Sequence, residues 1–300
     1  MSPLENVLYF QVGLGLLGNM LLLLFCIVIV LGHRSKPMDL ISFQLTFIHI
    51  MMFLTGGNIW LSDIFESLSI KNDIKCKAVF YTSRVMRGLS ICITCLLSVF
   101  QAVTISPSTS LLAKFKQKRK KYIINALFYI WFFNLSVSSH MLFYVDSFTN
   151  VSDSKQMKVT KSCSFFPMNS IIKGLIHTLS TSRDVFLVAV MLTTSAYMLN
   201  ILHRHQRQCK HLHSISHLMR ASPEQKATQI ILLLVVFFVV MYWVDFIISS
   251  TSFLLWMYDP VVLTVQKFVI YAYPTVTPLL QISSDKRIIN MLKSLQFKCH

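Results

Sequence analysis

Five charged residues interrupt stretches of this 300-residue sequence that are otherwise apolar. Three are basic (Arg84, Arg87 and Arg183) and two are acidic (Asp184 and Asp245). Arg guanidinium groups can hold a carboxylate or another anionic group through two parallel hydrogen bonds. A charge among apolar neighbours is costly, so such side chains either pair with one another or serve binding. Both uses follow from the same cost, and the sequence leaves both open.

Motifs for hydrolytic or metal chemistry do not support a catalytic role for the chain. It contains no Gly-x-Ser-x-Gly nucleophile motif and no His-Glu-x-x-His zinc motif. Cys92 and Cys95 form a Cys-x-x-Cys pair, but no second pair completes a zinc site. Four His residues between positions 203 and 213 alternate with Arg and Lys, which indicates a basic loop. We therefore predict no enzyme activity, no cofactor and no bound metal.

The segments that must position the five charges are long and apolar. Hydrophobic residues make up 54% of the chain and charged residues 13%, with a mean hydropathy of +0.59. Soluble domains carry about 25% charged residues, and a membrane span needs about 20 apolar ones. We predict a single all-α domain over residues 1–300 with spans at about 7–31, 40–61, 78–105, 122–145, 171–202, 227–257 and 261–282. Helices are expected because backbone groups in lipid must be hydrogen bonded internally.

The distribution of Lys and Arg predicts how the chain is oriented. Of the 28 basic residues, 17 lie in the first, third and fifth loops and the C-terminal tail, together with only three acidic residues. The opposite side holds eight basic and seven acidic residues. The positive-inside rule then places the N-terminus outside and the C-terminus in the cytosol. Because topology accounts for the net charge of +16, we expect contact with lipid and no nucleic-acid partner.

Cysteines and a glycosylation sequence are consistent with this orientation. Of the seven cysteines, only Cys76 and Cys163 fall on the predicted outer side, so we expect them to form a disulfide. Asn150 begins an Asn-Val-Ser acceptor in the second outer loop and is the predicted glycosylation site. A second acceptor sequence begins at Asn134 within the fourth span, where the modifying enzyme cannot reach it.

Seven helices with an outer N-terminus and this cysteine pair resemble a G-protein-coupled receptor. Gly18-Asn19 stands in the first span as in rhodopsin-like receptors, Trp243 occupies the place of the sixth-helix aromatic switch, and "YPTVTP" ends at Pro278 in the seventh span.

Departures from that pattern narrow the resemblance. Gln101 stands where the third helix usually has Arg, His49 replaces the acidic residue of the sodium site, and Asp245 replaces the sixth-helix proline.

Four motifs in the same order are similar to those of the vomeronasal type-1 receptors, a family of pheromone receptors. They are "RVMRGLSICITCLLSVFQAVTISP" at 84–107, "LHRHQRQCKHLHSIS" at 202–216, "SPEQKATQ" at 222–229 and "YPTVTP". The resemblance covers nearly the whole chain. It implies a multi-pass receptor of the plasma membrane that binds a small pheromone-like molecule and activates a heterotrimeric G protein of the inhibitory or Go class.

Two groups of residues are the predicted binding sites. At 1.5 Å per helical residue, the five charges fall at or above mid-depth, so we expect a ligand cavity there, lined by Arg84, Arg87, Arg183, Asp184, Asp245 and Trp243. For the G protein we expect contacts with Gln101, Ser106, Pro107, Lys114, Lys116 and Arg220. The alternatives are a bitter-taste receptor and a seven-helix transporter or channel, although the inverted repeats of many transporters are not found.

Glycosylation provides a test of the predicted topology. Asn150→Gln should remove a glycan-dependent mobility shift on gels of membranes from expressing cells, because Asn150 lies in an outer loop. Asn134→Gln is the matched control and should leave the shift unchanged. A shift that is lost only in the Asn134 variant would mean that the fourth span is assigned wrongly.

Overall fold

The computed structural model describes residues 3–31, 36–56, 72–106, 119–147, 157–158, 163–165, 169–212, 223–255, 260–285 and 287–290. Seven long helices account for most of them: α1 Pro3–Leu31, α2 Pro37–Gly56, α3 Asn72–Ile105, α4 Arg119–Ser138, α5 Ser170–Leu212, α6 Pro223–Leu255 and α7 Pro260–Ser284. The first six are long and apolar enough to cross a membrane. Two polar residues, Gln266 and Lys267, and two prolines lower the hydropathy of α7. The predicted seven-helix membrane fold is confirmed.

Local sequence explains where several helices begin. Four of them start at a proline, which fits the first helical position because its missing N–H has no intrahelical partner there: Pro3, Pro37, Pro223 and Pro260. Before α2, the Lys36 amide donates to Asp39 Oδ2 over 2.6 Å. At α5, Asn169 Oδ1 accepts from the Ile171 amide over 3.1 Å. These side chains satisfy amides that the helix itself leaves without acceptors.

Helix α3 lies at the centre of the bundle. Within its most apolar window 72% of the residues are buried, whereas the figure for α4 is 17%. It packs against α2, α4, α5 and α6. One apolar cluster joins α2, α3 and α4 around Ile48 and Leu89, and a second joins α3, α5 and α6 around Met191 and Leu234. Side chains on α3 can therefore reach several helices, while the exposed Phe and Leu side chains of the outer helices are suited to lipid.

A disulfide and a small sheet mark one end of the bundle. Strands Val145–Ser147 (β1), Met157–Lys158 (β2) and Cys163–Phe165 (β3) form an antiparallel sheet in the order β1-β3-β2, with Ser147 opposite Cys163. The predicted bond between Cys76 of α3 and Cys163 is confirmed, and the two Cα atoms are 5.8 Å apart. We call this end of the bundle the disulfide end.

The predicted C-terminal ends of the fourth and fifth spans lie more than a full helical turn from the helix ends in the structure. The fourth span was expected to be helical to residue 145, but α4 ends at Ser138 and a short helix, Met141–Tyr144, precedes β1. Ser139 and His140 explain the break, because their side chains bond the carbonyls of Ser136 and Val137 and so compete with the helix. Helix α5 runs to Leu212 rather than to residue 202, since hydropathy reports where lipid contact ends and not where a helix ends.

A side chain of α1 compensates for a proline inside α7. Pro278 has no N–H, so the carbonyl of Pro274 loses its usual helical donor. Asn19, which is fully buried, donates from Nδ2 to that carbonyl over 2.8 Å. Gly18 permits the close approach, because a Cβ at this position would lie only 3.1 Å from Pro278 Cγ. The Gly18-Asn19 pair therefore holds α1 against α7.

This contact predicts that Asn19→Ala destabilises the protein. The Pro274 carbonyl would be left without a donor in an apolar setting, at a cost of about 1–3 kcal/mol. The measurement is the Tm of purified protein in nanodiscs. Thr46→Val is a matched control, since its hydroxyl bonds a carbonyl of its own helix, Ser42, which also accepts the helical N–H.

A second substitution tests the cause of that loss. In a Pro278→Ala background the residue at 278 regains its N–H, so Asn19→Ala should cost clearly less than in the unmodified chain. An equal loss in both backgrounds would show that Asn19 does not act through the Pro274 carbonyl.

Candidate functional site

The charged residues of α3, α5 and α6 converge below the disulfide end. Arg84 and Arg87 follow Cys76 in α3 by a distance along the helix axis of about 12 Å and about 17 Å respectively. Arg183 and Asp184 approach from α5, and Asp245 approaches from α6. Among the described residues, the side chains form two ion pairs here and leave one guanidinium with a neutral partner.

The first ion pair joins three helices at one carboxylate. Arg87 of α3 contacts Asp245 Oδ2, and the Asp245 side chain is only 4% exposed whereas that of Arg87 is 31% exposed. Gln266 of α7 donates from Nε2 to Asp245 Oδ1 over 3.1 Å and to Ser249 Oγ over 2.7 Å. The buried carboxylate therefore has partners on both oxygens, as a charge in a dry environment requires.

The second ion pair connects α5 with α6. Arg183 Nε and Asp184 Oδ1 are 2.7 Å apart, so two residues adjacent in sequence neutralise each other. The Tyr242 hydroxyl of α6 donates to Asp184 Oδ2. Tyr242 lies three residues before Asp245, and both ion pairs thereby hold the same helix through neighbouring turns.

A polar side chain of α4 supports Arg183. Asn134 is fully buried, donates from Nδ2 to the Ile130 carbonyl over 2.9 Å and accepts from Arg183 Nη1 over 3.4 Å. Gly88 of α3 leaves room for this arrangement, because a Cβ there would collide with Asn134 Oδ1 and lie 3.4 Å from Arg183 Nη1. The Asn134 acceptor sequence thus belongs to an internal hydrogen-bond network.

Arg84 is the guanidinium without a carboxylate partner among the described residues. Its Nη2 donates to Ser180 Oγ of α5 over 3.2 Å. The positive charge of Arg183 lies close enough to interact unfavourably with it, and Asp184 offsets part of that repulsion. Arg84 therefore keeps donor capacity that a ligand oxygen could use.

A small cavity adjoins the first ion pair. Its volume is about 40 Å³, and its polar lining comes from Arg87, Ser90, Asp245 and two tyrosines, Tyr242 and Tyr273. A volume of this size holds a few water molecules, whereas small-molecule sites are usually about 300–1,000 Å³. Its apolar lining includes Met52 and Met241, flexible side chains that can move aside when a larger molecule enters.

Trp243 does not join this group. Its side chain is 48% exposed on the outer face of α6 and packs edge-to-face against Phe246, with ring centroids 6.0 Å apart. Tyr242, the preceding residue, is the α6 aromatic side chain that reaches Asp184 and the cavity. Asn150 lies outside the described residues.

A larger cavity lies at the opposite end of the bundle. It has a volume of about 400 Å³, and we call it the Arg287 cavity. Gln101 is buried and lines it together with residues of α1, α2, α6 and α7. Nearby, Ser106 and Tyr197 of α5 share a hydrogen bond of 2.8 Å. The other predicted G-protein contacts, Pro107, Lys114, Lys116 and Arg220, lie outside the described residues.

An ion cluster closes one side of the Arg287 cavity. Arg287 binds both oxygens of Asp39, over 3.0 Å and 2.8 Å, and also binds Asp285. The hydrogen bonds that Arg287 donates to Asp39 raise the pKa of Arg287 above its ordinary value. Partial burial alone would raise the pKa of Asp285, but the hydrogen bonds from Arg287 outweigh it, so that this pKa lies below its ordinary value.

Sequence reasoning missed several members of the site. Tyr242, Ser180 and Gln266 are not among the predicted site residues, and Asn134 was considered only as a glycosylation acceptor. A usable signal existed for three of them: Asn134 is an amide that follows the apolar run at 126–133, Gln266 interrupts an apolar span, and Tyr242 lies one turn from Asp245. Ser180 offers no such signal, because a serine in a span usually bonds its own helix.

Comparison with known proteins places the chain in a family. The sequence pattern described as the Vomeronasal organ pheromone receptor family matches residues 2–294. Vomeronasal type-1 receptor 100 of Rattus norvegicus is 40% identical over 295 residues, which cover 98% of this chain and 90% of the relative. Vomeronasal type-1 receptor 51 of Mus musculus is 38% identical over 295 residues, which cover 98% of this chain and 92% of the relative.

The chain belongs to the vomeronasal type-1 receptor family. It is a multi-pass membrane protein and a chemosensory receptor, and its family consists of receptors rather than enzymes.

The Arg87–Asp245 pair predicts a specific pattern of stability changes. Asp245→Asn should destabilise the receptor, because Arg87 would keep its charge without a counter-charge; breaking a buried pair costs about 3–5 kcal/mol, and the partial exposure of Arg87 places this loss near the lower value. Adding Arg87→Met should restore surface expression and Tm. A double variant no better than Asp245→Asn alone would show that the pair does not brace α3 against α6.

Proposed function

We propose that the protein is a plasma-membrane receptor that binds a small-molecule chemosignal at the disulfide end and activates an inhibitory or Go-class G protein. In this proposal a single seven-helix domain has its N-terminus and disulfide end outside the cell and the Arg287 cavity in the cytosol. The asymmetry of Lys and Arg between the two sides supports this orientation.

The observation that carries the ligand site is the incomplete charge pairing below the disulfide end. Three guanidinium groups and two carboxylates meet there, and Asp245 and Asp184 are engaged by Arg87 and Arg183. Among the described residues, the partner of Arg84 is the Ser180 hydroxyl, which is neutral. In a site of low dielectric, a hydrogen bond from a guanidinium to a ligand oxygen is strong and orients the molecule. We infer that Arg84 binds the polar group of the chemosignal.

The apolar part of the ligand would enter the adjoining cavity. Phe238, Met241, Ile91 and Val269 line it, and Met52 closes it from α2. Because the cavity holds only about 40 Å³, binding has to displace side chains and shift α6 relative to α3. A ligand that binds the expanded form more tightly then stabilises that form, which is the requirement for any ligand-driven conformational change.

The signal would leave through α6 and α7. Asp245 connects α6 to α3 through Arg87 and to α7 through Gln266. Expansion of the cavity would therefore change contacts made by both α6 and α7. Their other ends, at Ile230, Ile231 and Gln281, line the Arg287 cavity. That cavity and the basic loops beside it are the surface that we assign to the G protein.

A reconstituted exchange assay tests the proposed function. Purified receptor in nanodiscs with Go heterotrimer should accelerate binding of labelled GTP when a panel of volatile and oxygenated small molecules is applied. Liposomes that contain the receptor without G protein provide the contrasting measurement. Solute or ion flux in those liposomes, with no ligand of the panel promoting exchange, would favour a transporter or channel instead.

Arg84 is the residue with the clearest expected effect on ligand potency. Arg84→Met should lower the potency of an identified agonist at least tenfold, about 1.4 kcal/mol, at unchanged surface expression, because it removes a donor without breaking an ion pair. Ser180→Ala is the matched control: it removes the neutral partner only, so potency should stay the same or rise. Unchanged potency in Arg84→Met would place the polar group of the ligand elsewhere.

A further inference from the structure

Two acidic residues beside the Arg287 cavity share one partner. The loops and tail on the side predicted to face the cytosol contain 17 basic but only three acidic residues. Two of the three, Asp39 and Asp285, bind the same guanidinium, that of Arg287. The positive-inside rule depends on Lys and Arg, so it does not explain the presence of acidic residues on this side. Their convergence on one Arg indicates that the position of Arg287 matters.

Geometry separates the roles of the two carboxylates. Asp285 lies two residues before Arg287, so its bonds to Arg287 Nε and Nη2, at 3.2 Å and 2.9 Å, stay within one short segment. Asp39 belongs to α2, and it receives two parallel hydrogen bonds from Arg287. The planar guanidinium fits a carboxylate in this arrangement, which gives directional as well as electrostatic stabilisation. Of the two carboxylates, Asp39 is the one that joins the chain after α7 to another helix.

An apolar contact completes the attachment of this segment. Ile288, next to Arg287, is 3% exposed and packs with Leu22, Cys26 and Ile29 of α1. Asp285, Arg287 and Ile288 therefore form a wall of the Arg287 cavity together with α1 and α2. Cys26 is buried behind this wall and also lines the cavity, with 6% of its surface exposed.

On the opposite wall, the described residues that line the cavity are uncharged. Gln101 and Thr104 of α3 and Ile230 and Ile231 of α6 line it. Gln101 stands where rhodopsin-like receptors carry an Arg, and an amide cannot form an ion pair. Among the described residues that line the cavity, those with charged side chains are therefore all on the first wall: Lys36, Asp39, Asp285 and Arg287.

We propose that the Asp39–Arg287 pair is a clamp that holds the segment after α7 against α1 and α2 and limits access to the Arg287 cavity. A partner that inserts there has to shift this wall, and therefore competes with the clamp. The clamp itself does not depend on the proposed function, whereas its effect on signalling does.

Cys26 provides a readout that needs neither ligand nor G protein. Purified full-length receptor is treated with iodoacetamide, and the alkylation rate of each cysteine is followed by peptide mass spectrometry. Asp39→Asn and Arg287→Gln should each accelerate the reaction at Cys26 at least fivefold. The two substitutions change the local charge in opposite directions, so a rise in both reports opening of the wall rather than altered ionisation of the thiol.

Two internal controls make the result specific. Asp285→Asn removes an acid from the same cluster without breaking the contact with α2, so it should change the Cys26 rate less than twofold. Cys92, buried in α3 away from the clamp, should react at its original rate unless the variant unfolds. The exchanged pair Asp39→Arg with Arg287→Asp should return the Cys26 rate towards its original value.

Several results would overturn the clamp. They are an unchanged Cys26 rate in Asp39→Asn, an equal acceleration in Asp285→Asn, or an increase at Cys92 that matches the one at Cys26. The last would mean general loosening of the bundle. Arg287→Lys covers the case in which the neutral variants do not fold: it keeps the charge but loses the two-bond fork, so it should give an intermediate rate at Cys26.

The effect on signalling is measured separately. If the receptor activates Go as proposed, Asp39→Asn should raise basal GTP binding at least threefold without ligand, and Thr46→Val, a change in the same helix that does not line the cavity, should not. A faster Cys26 reaction with unchanged basal exchange, in a receptor that still responds to agonist, would overturn the clamp's part in signalling. A receptor that never promotes exchange under any ligand would count against the proposed function, while the Cys26 result would still decide the clamp.

Discussion

Inside a bilayer no water is present to form hydrogen bonds with a polar group, so its hydrogen-bond partner must come from the protein. This constraint explains most of the specific contacts in the receptor. Both α3 and α7 supply donors to the Asp245 carboxylate, and α1 supplies the Asn19 donor to the Pro274 carbonyl. Apolar side chains pack nearly as well against lipid as against one another. They therefore determine which helices are neighbours less strictly than polar contacts do. The polar contacts therefore carry much of the information about which helices meet.

Helix α3 carries the largest share of these contacts because it is surrounded by other helices. Going along it from the disulfide end, Arg84 bonds α5, Arg87 bonds α6, and Ser90 lies 3.5 Å from the His49 ring of α2. Thr94 then meets Tyr273 of α7 at 3.2 Å, and Ser98 meets Thr194 of α5 at 2.7 Å. Successive turns of α3 thus contact α5, α6, α2, α7 and again α5. A change in its rotation would alter contacts at several depths together, which is a property that a receptor can use.

Hydropathy was sufficient to locate the helices, because the length of apolar chain that lipid demands can be read along the sequence. The cost of a buried charge was sufficient to find Arg84, Arg87 and Asp245. Helix rotation could not be read in the same way. Adjacent helical residues differ by about 100° around the axis, so Trp243 faces outward while Tyr242 reaches Asp184. Which Arg pairs with which Asp also depends on rotation, and only the structure identifies Arg84 as the one with a neutral partner.

Helix α7 connects the two ends of the molecule. Near the disulfide end Gln266 binds the carboxylate of α6, at mid-depth the Pro274 carbonyl is held by Asn19 of α1, and beyond its far end Arg287 is held by Asp39 of α2. Each contact restrains α7 against a different helix, and each is directional because it is a hydrogen bond or a forked ion pair. A ligand that breaks the contact between Gln266 and Asp245 allows this end of α7 to move. The contacts of α7 with Asn19 and of Arg287 with Asp39 oppose that movement. Contiguity alone does not establish coupling. Coupling requires that the far contacts have a second arrangement of similar free energy, and a partly exposed ion pair can supply one more readily than Asn19, whose side chain is fully buried.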